Sequence, residues 1–148
     1  FFQARALFND HPKYLNPVGI KASSVLYPYL NSDEVLVCEG PLDAISLHLA
    51  GINATATMGS SPSQFQIEIM KQGGCELIIA YDNDEAGKKG IEKLERLRKQ
   101  LMLPAIKICP PPPAFKDWNE DFDIKSYVEE NTKNYDIEYL VNSNIESG

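Results

Sequence analysis

Histidine is almost missing from this 148-residue sequence. His11 and His48 stand alone and far apart, which leaves a histidine-based catalytic or metal centre little to rest on. Cysteine is scarce too: Cys38, Cys75 and Cys109 are odd in number and contain no Cys-x-x-Cys pair. They read as small buried hydrophobes in a reducing compartment, and no zinc site is expected. No apolar run approaches the roughly 18 to 20 residues that span a bilayer, so no membrane partner is expected. The start lacks a signal-peptide pattern. It opens on Phe1-Phe2-Gln3 rather than on Met, which reads as a piece of a longer chain with a cytoplasmic address. An excess of basic charge is also absent. The formal net charge of -7 speaks, taken whole, against a nucleic-acid partner. The imbalance is local, however. Residues 117–148 hold nine acids against Lys125 and Lys133, whereas residues 1–116 balance at twelve and twelve. If clustered acids in the balanced part hold divalent metal, its working face becomes net positive; the acidic C-terminal stretch remains unsuited to nucleic acid.

What is present fits one soluble domain with a real core: 43% apolar and 24% charged residues. No internal repeat shows. Residues 25–30 read as a strand or a short helix. An apolar strand is predicted at 35–38, and Pro41 suits the first turn of a helix running to about residue 50, which Gly51 ends. A strand follows at 54–58. Ser60-Ser61-Pro62 then looks like an N-cap with Pro at the first helical position, starting a helix to about residue 72 that Gly73-Gly74 stops. A strand at 76–81, a charged helix at 85–102 and a strand at 105–109 complete the alternation. Prolines 110–113 read as a stiff polyproline II connector. Residues 121–131 and 135–141 look helical. Short, nearly all-apolar strands alternating with helices predict an α/β fold, a four-stranded parallel sheet with helices on both faces.

In such sheets ligands bind beyond the carboxyl ends of the strands. Glu39-Gly40 ends the first core strand, with Asp43 in the next helix's first turn. Asp82-Asn83-Asp84 ends the third. Lys116-Asp117-Trp118-Asn119-Glu120 follows the fourth. Two acids one residue apart repel each other unless something cationic offsets them. Asp82 and Asp84 point the same way if the backbone is extended. Carboxylates from separate stretches therefore converge on one sheet edge. Hard oxygen ligands without histidine or thiolate specify Mg²⁺ or Mn²⁺ rather than zinc. Each acid also has a structural explanation, since Asp and Glu cap helices and complement helix dipoles; Asp43 in particular suits a cap. Glu85 reads as a solvated first-turn acid. Gly87 lies where a glycine is costly unless two backbones approach closely.

These residues resemble the Toprim domain shared by DnaG-type primases, type IA and II topoisomerases and some nucleases. "CEGPLDAISLHLAG" matches its glutamate motif and "YDNDEAGKKG" its Asp-x-Asp motif, and the likeness covers about residues 33–120. "ARALFNDHPKYLNP", followed by Lys21, and "FKDWNED" resemble elements that flank Toprim in DnaG-type primases. The chain departs from that pattern at Trp118, where the family has proline, and at Asn119, where it commonly has an acid. The domain organisation expected from the resemblance is an incomplete N-terminal segment of the primase core at 1–32, Toprim at 33–120 and a helical extension at 121–148.

The resemblance implies a metal-dependent nucleotidyl transfer that makes RNA primers on single-stranded DNA. Glu39, Asp82 and Asp84 would be catalytic, and Glu39, Asp43, Asp82, Asp84 and Asp117 would hold two Mg²⁺ or Mn²⁺ ions. Whether Glu39 is a ligand or a general base stays open. Arg5, Lys13, Lys21 and Lys88 would meet nucleotide or template, although scattered bases are also plain solubilising surface. The implied partners are a single-stranded DNA template, ribonucleoside triphosphates, the RNA primer and, through a longer parent protein, a replicative helicase. A Toprim-type nuclease and a non-catalytic nucleic-acid-binding module remain as alternatives. Trp118 either packs the C-terminal helices onto the sheet or stacks on a base.

Overall fold

The computed structural model describes residues 3–7, 14–28, 32–74, 76–103 and 106–132. Lys13, His11, Cys75 and the helix expected at 135–141 lie outside these. A two-residue antiparallel pair, β1 (Ala4–Arg5) with β2 (Tyr14–Leu15), precedes the main sheet. The main sheet contains β3 (Glu34–Cys38), β4 (Ala54–Ala56), β5 (Glu76–Ile79) and β6 (Lys107–Ile108). Their order is β4-β3-β5-β6, and every pairing is parallel. The chain thus steps from β3 to one side and returns to the other. That places a topological switch point between β3 and β5, where open α/β sheets form their crevice.

Burial explains why the strands are apolar without interruption. Leu36, Cys38, Ile78 and Ala80 pack on one face with Ala44 and Leu47 of α1 (Pro41–Leu49) and Val128 of α4 (Ile124–Asn131). Val37, Ile79, Tyr81 and Ile108 pack on the other with Ile67 and Met70 of α2 (Gln64–Gln72) and Leu94 of α3 (Glu85–Gln100). Successive strand residues serve opposite faces, so both must be apolar. The α/β fold with helices on both faces is as the sequence predicts.

Several boundaries differ from expectation: β5 ends at Ile79 rather than at 81 and α3 at Gln100 rather than at 102, and four differences have a visible cause or consequence. Helix α2 starts after Ser63, not after Ser60-Ser61 with Pro62 inside. Ser63 Oγ accepts from the Gln66 N–H (3.1 Å) and Gln66 Oε1 from the Ser63 N–H (2.9 Å), a reciprocal capping box that wins over a bare Ser-Pro signal. Helix α4 starts after Asp123, whose carboxylate accepts from the Ser126 N–H, so residues 121–123 lie outside it. Strand β4 stops at Ala56, and Met58 has φ of 60°, which no strand accommodates. Residues 25–28 form neither strand nor helix; Tyr27 makes one isolated antiparallel bridge to Ala56. Gln66 secures this segment from the fully buried side, its amide donating to Val25 O (2.6 Å) and Thr57 O (3.0 Å).

Candidate active site

Glu39 directly follows β3 and Asp82 follows β5, so both arrive at the switch point. The Asp82 N–H donates to Glu39 Oε1 at 3.3 Å. Helix α3 runs close behind them, which is possible because residue 87 is glycine. A Cβ there would collide with Asp82 O and lie 3.1 Å from Glu39 Oε1. The close approach expected of Gly87 is therefore met, and it seats the start of α3 directly against the two acids.

Asp43 and Asp84 have structural work as well. Asp43 Oδ2 accepts from the Gly40 N–H (3.2 Å) at the start of α1, and its Oδ1 accepts from Asn119 Nδ2 (2.7 Å). Asp84 is the N-cap of α3, with Oδ1 accepting from the Gly87 N–H at 2.9 Å, and its Oδ2 lies 3.6 Å from Lys116 Nζ. Asp84 thus has one oxygen engaged in the helix cap and the other beside Lys116.

The loop after β6 closes the other side. Its prolines carry carbonyl acceptors but no N–H donors. Those carbonyls find donors elsewhere: Asn83 Nδ2 reaches Pro111 O (2.7 Å), Pro112 O (3.1 Å) and Phe115 O (3.0 Å), and Tyr127 Oη reaches Pro110 O (3.0 Å). The Asn83 N–H also donates to Lys116 O (2.9 Å). A turn closed by the Phe115 N–H to Pro112 O interrupts the stiff connector expected at 110–113. Trp118 is fully buried, its indole N–H donating to Ala80 O at 2.8 Å among Phe122 and Tyr127. It packs the C-terminal part onto the sheet and offers no face to a base.

These elements enclose a cleft of about 340 Å³ whose walls include Glu39, Asp43, Asp82, Asp117, Lys116, Asn119 and Arg5. Its electrostatics are dominated by mutual repulsion and burial. Burial pushes the Asp82 carboxyl up to about 7, helped by the charges of Asp43, Glu39, Asp117 and Asp84. Glu39 is raised by burial and then by Asp84 and Asp43, against the Asp82 N–H and Lys116. Asp43 is raised by burial and Asp117, against the N–H groups of Gly40 and Trp118. Asp82 Oδ1 is buried with no hydrogen-bond partner among the described residues. An orphaned carboxylate oxygen among further acids is a donor set suited to a hard divalent cation. Among the described residues, no group of three or more His, Cys, Asp or Glu side chains is disposed, as it stands, to hold a metal ion. Asp43 and Asp84 would have to turn from their caps to join Asp82.

Of the expected binding residues, Arg5 lines the cleft, whereas Lys21 is exposed beside the 3₁₀ turn Ala22–Ser24 and lines no part of it. Lys88 is exposed and lies 3.5 Å from Glu85. Lys13 is outside the described residues. Lys116, Asn119 and Asn83 were not expected as site residues. Lys116 and Asn119 in the acidic loop, and Asn83 between the two aspartates, carry no spacing signal, and Asn119 meets Asp43 across 76 residues of sequence. Cys38 and Cys109 are buried, and burial raises both thiols, Cys109 to about 12, so they remain neutral hydrophobes.

A family model described as Toprim-like matches residues 36–122. A DNA primase of Helicobacter pylori is 36% identical over 62% of this chain and 18% of its own length. One from Pseudomonas aeruginosa is 35% identical over 60% of this chain and 15% of its own. The chain spans less than a fifth of these relatives. Among solved structures, a DNA primase domain from Pseudomonas aeruginosa superposes with a TM-score of 0.76 at 22% identity, over 95% of this chain and 49% of that one. A DnaG primase catalytic domain bound to single-stranded DNA superposes at 0.73 and 24% identity, over 95% of this chain and 50% of that one.

Proposed function

Since this chain belongs to the Toprim-like family, we propose that it forms the catalytic Toprim portion of a DNA primase, making RNA primers on single-stranded DNA by metal-dependent nucleotidyl transfer. The observation that carries this reading is the acid cluster at the switch point, with Asp82 Oδ1 buried and unpartnered against Glu39. Primase relatives at 36% identity support the choice among Toprim activities. The proposed organisation is a primase-core segment at 1–32, Toprim at 33–120 and a helical extension at 121–148.

Glu39, Asp82 and Asp84 are the proposed catalytic acids, with Asp43 and Asp117 as further ligands for two Mg²⁺ or Mn²⁺ ions. Bound there, such ions would neutralise charge developing on the transferred phosphoryl group and activate the attacking hydroxyl. The chain's own residues supply position. Gly87 lets α3 hold Asp82 and Glu39 together, Asn83 fixes the loop bearing Asp117, and Lys116 balances Asp84. Arg5, on the cleft wall, would meet a phosphate of nucleotide or template, with Lys13 and Lys21 contributing longer-range attraction for the strand and Lys88, paired with Glu85, contributing least. A replicative helicase is the proposed partner of the longer protein.

The test is to supply the full-length protein with template, labelled ribonucleotides and Mg²⁺. Labelled primers support the reading; nicked template in their place supports the nuclease alternative, and neither product leaves a binding module.

A further inference from the structure

A second depression of about 340 Å³ lies on the other side of the loop at 58–61, walled by Ser60, Ser61, Ala86, Lys89, Gly90 and Lys93. Its chemistry is the reverse of the acidic cleft, since its ionisable lining residues are both lysines. The other cations of α3 with an ion pair are spent on acids: Lys88 on Glu85, and Arg98 and Lys99 on Glu95. Lys89, Lys93 and Arg96 sit at spacings of four and three, on one exposed face, and none pairs with an acid among the described residues. Lys93 Nζ instead donates to Ser61 Oγ at 3.1 Å. That hydroxyl keeps its own proton to donate, and the ammonium keeps two.

The loop between the two depressions is built against both. Met58 and Gly59 line the acidic cleft, and the Gly59 N–H donates to Glu39 O at 3.1 Å. Ser60 O abuts Gly90 so closely that a Cβ at residue 90 would collide with it. One short loop is therefore fixed to the catalytic glutamate on one side and to the basic helix face on the other. We propose that the Ser61–Lys89–Lys93 pocket binds a phosphate of the nucleic-acid strand whose reacting end lies in the acidic cleft, the strand crossing the loop at 58–61. This rests on the reading above that the chain handles nucleic acid. The pocket is shallow, exposed and without aromatic walls, which suits a sugar-phosphate backbone rather than a base.

The test uses the full-length protein and fluorescently labelled oligothymidylate, with anisotropy measured across a salt series. Lys89→Ala/Lys93→Ala should weaken binding and reduce the slope of log affinity against log salt by ~0.7, the value for one single-strand phosphate. Lys99→Ala removes a cation from the same helix outside the pocket and should leave the slope unchanged. A labelled nucleoside triphosphate should bind the double variant as it binds wild type. Equal effects from Lys99→Ala and Lys93→Ala would reduce the pocket to general charge and overturn the inference. So would a loss confined to the nucleoside triphosphate, which would make this a nucleotide site. Wild type that fails to bind the oligonucleotide sinks the nucleic-acid reading itself; wild-type binding with an unaffected double variant sinks the pocket alone.

Discussion

Replacing Asp82 by Asn tests the electrostatics of the cleft directly. In the folded protein the Asp82 carboxyl is pushed up to about 7, while an unfolded Asp titrates near ~3.9. A folded value above the unfolded one means that the folded state holds the proton more tightly. The contribution is thus fully present below ~3.9 and is lost as pH rises through about 7. Three pH units correspond to ~4 kcal/mol at most. The carboxylate is only partly withdrawn from water, and screening reduces this to ~1–2 kcal/mol. Metal-free Asp82→Asn, neutral at every pH, should therefore melt above wild type at pH 8, by ~3–6 °C for a chain of this size, and lose that advantage near pH 4. The assay is calorimetry in chelator at both pH values, repeated with Mg²⁺ or Mn²⁺. At a tenfold excess over Kd, binding adds ~1.4 kcal/mol to wild type, and the variant should gain far less. A variant that melts below wild type at pH 8 in chelator, beside a wild type indifferent to metal, would refute the reasoning.

Gly87→Ala places a methyl group against Asp82 O and should cost ~1–3 kcal/mol by overpacking while displacing α3 from the acids, so urea melts and primer synthesis should both fall. A variant with normal stability and activity would show that α3 has room to withdraw. Trp118→Phe leaves Ala80 O without its buried donor and should cost ~1–3 kcal/mol in chemical denaturation. Because Trp118 is the chain's single tryptophan, wild-type emission should be blue-shifted and unchanged by oligonucleotide or nucleotide; quenching by either would restore base stacking. Glu39→Gln in the full-length protein should keep or slightly tighten DNA binding in a gel-shift titration, one negative charge being gone, yet abolish primer synthesis; full synthesis would make Glu39 structural.

The sheet was legible because strands buried on both faces need unbroken apolar runs, and 34–38 and 76–81 have little else. Glu39 and Asp82 could be placed together from the strand-end rule alone, and the structure joins them by a hydrogen bond. Helix starts were less legible. Ser63, directly after the Ser-Pro pair, and Gln66 carried the true capping signal, and local sequence does not rank two such signals. The capping role of Asp43 was legible, but its bond to Asn119 was out of reach for a different reason. Their bond depends on how the loop after β6 folds back over α1, which no periodicity encodes. For Trp118 the sequence left packing and base stacking both open, and its burial against Ala80 decides for packing.

Asn83 sits between the two aspartates and holds three carbonyls of the loop beyond β6 with one amide. A segment so rich in proline has few donors with which to organise itself, so its order is borrowed from the acid motif. Disturbance therefore travels in a definite direction. Changes within the prolines that keep their carbonyls leave Asp82 and Asp84 where they are, whereas loss of the Asn83 amide frees the carbonyls of Pro111, Pro112 and Phe115 at once, on the approach to Lys116 and Asp117. The Asp-x-Asp motif is a hinge pin as well as a charge cluster, and its middle residue is the one whose exchange for an isosteric aspartate would be least forgiven.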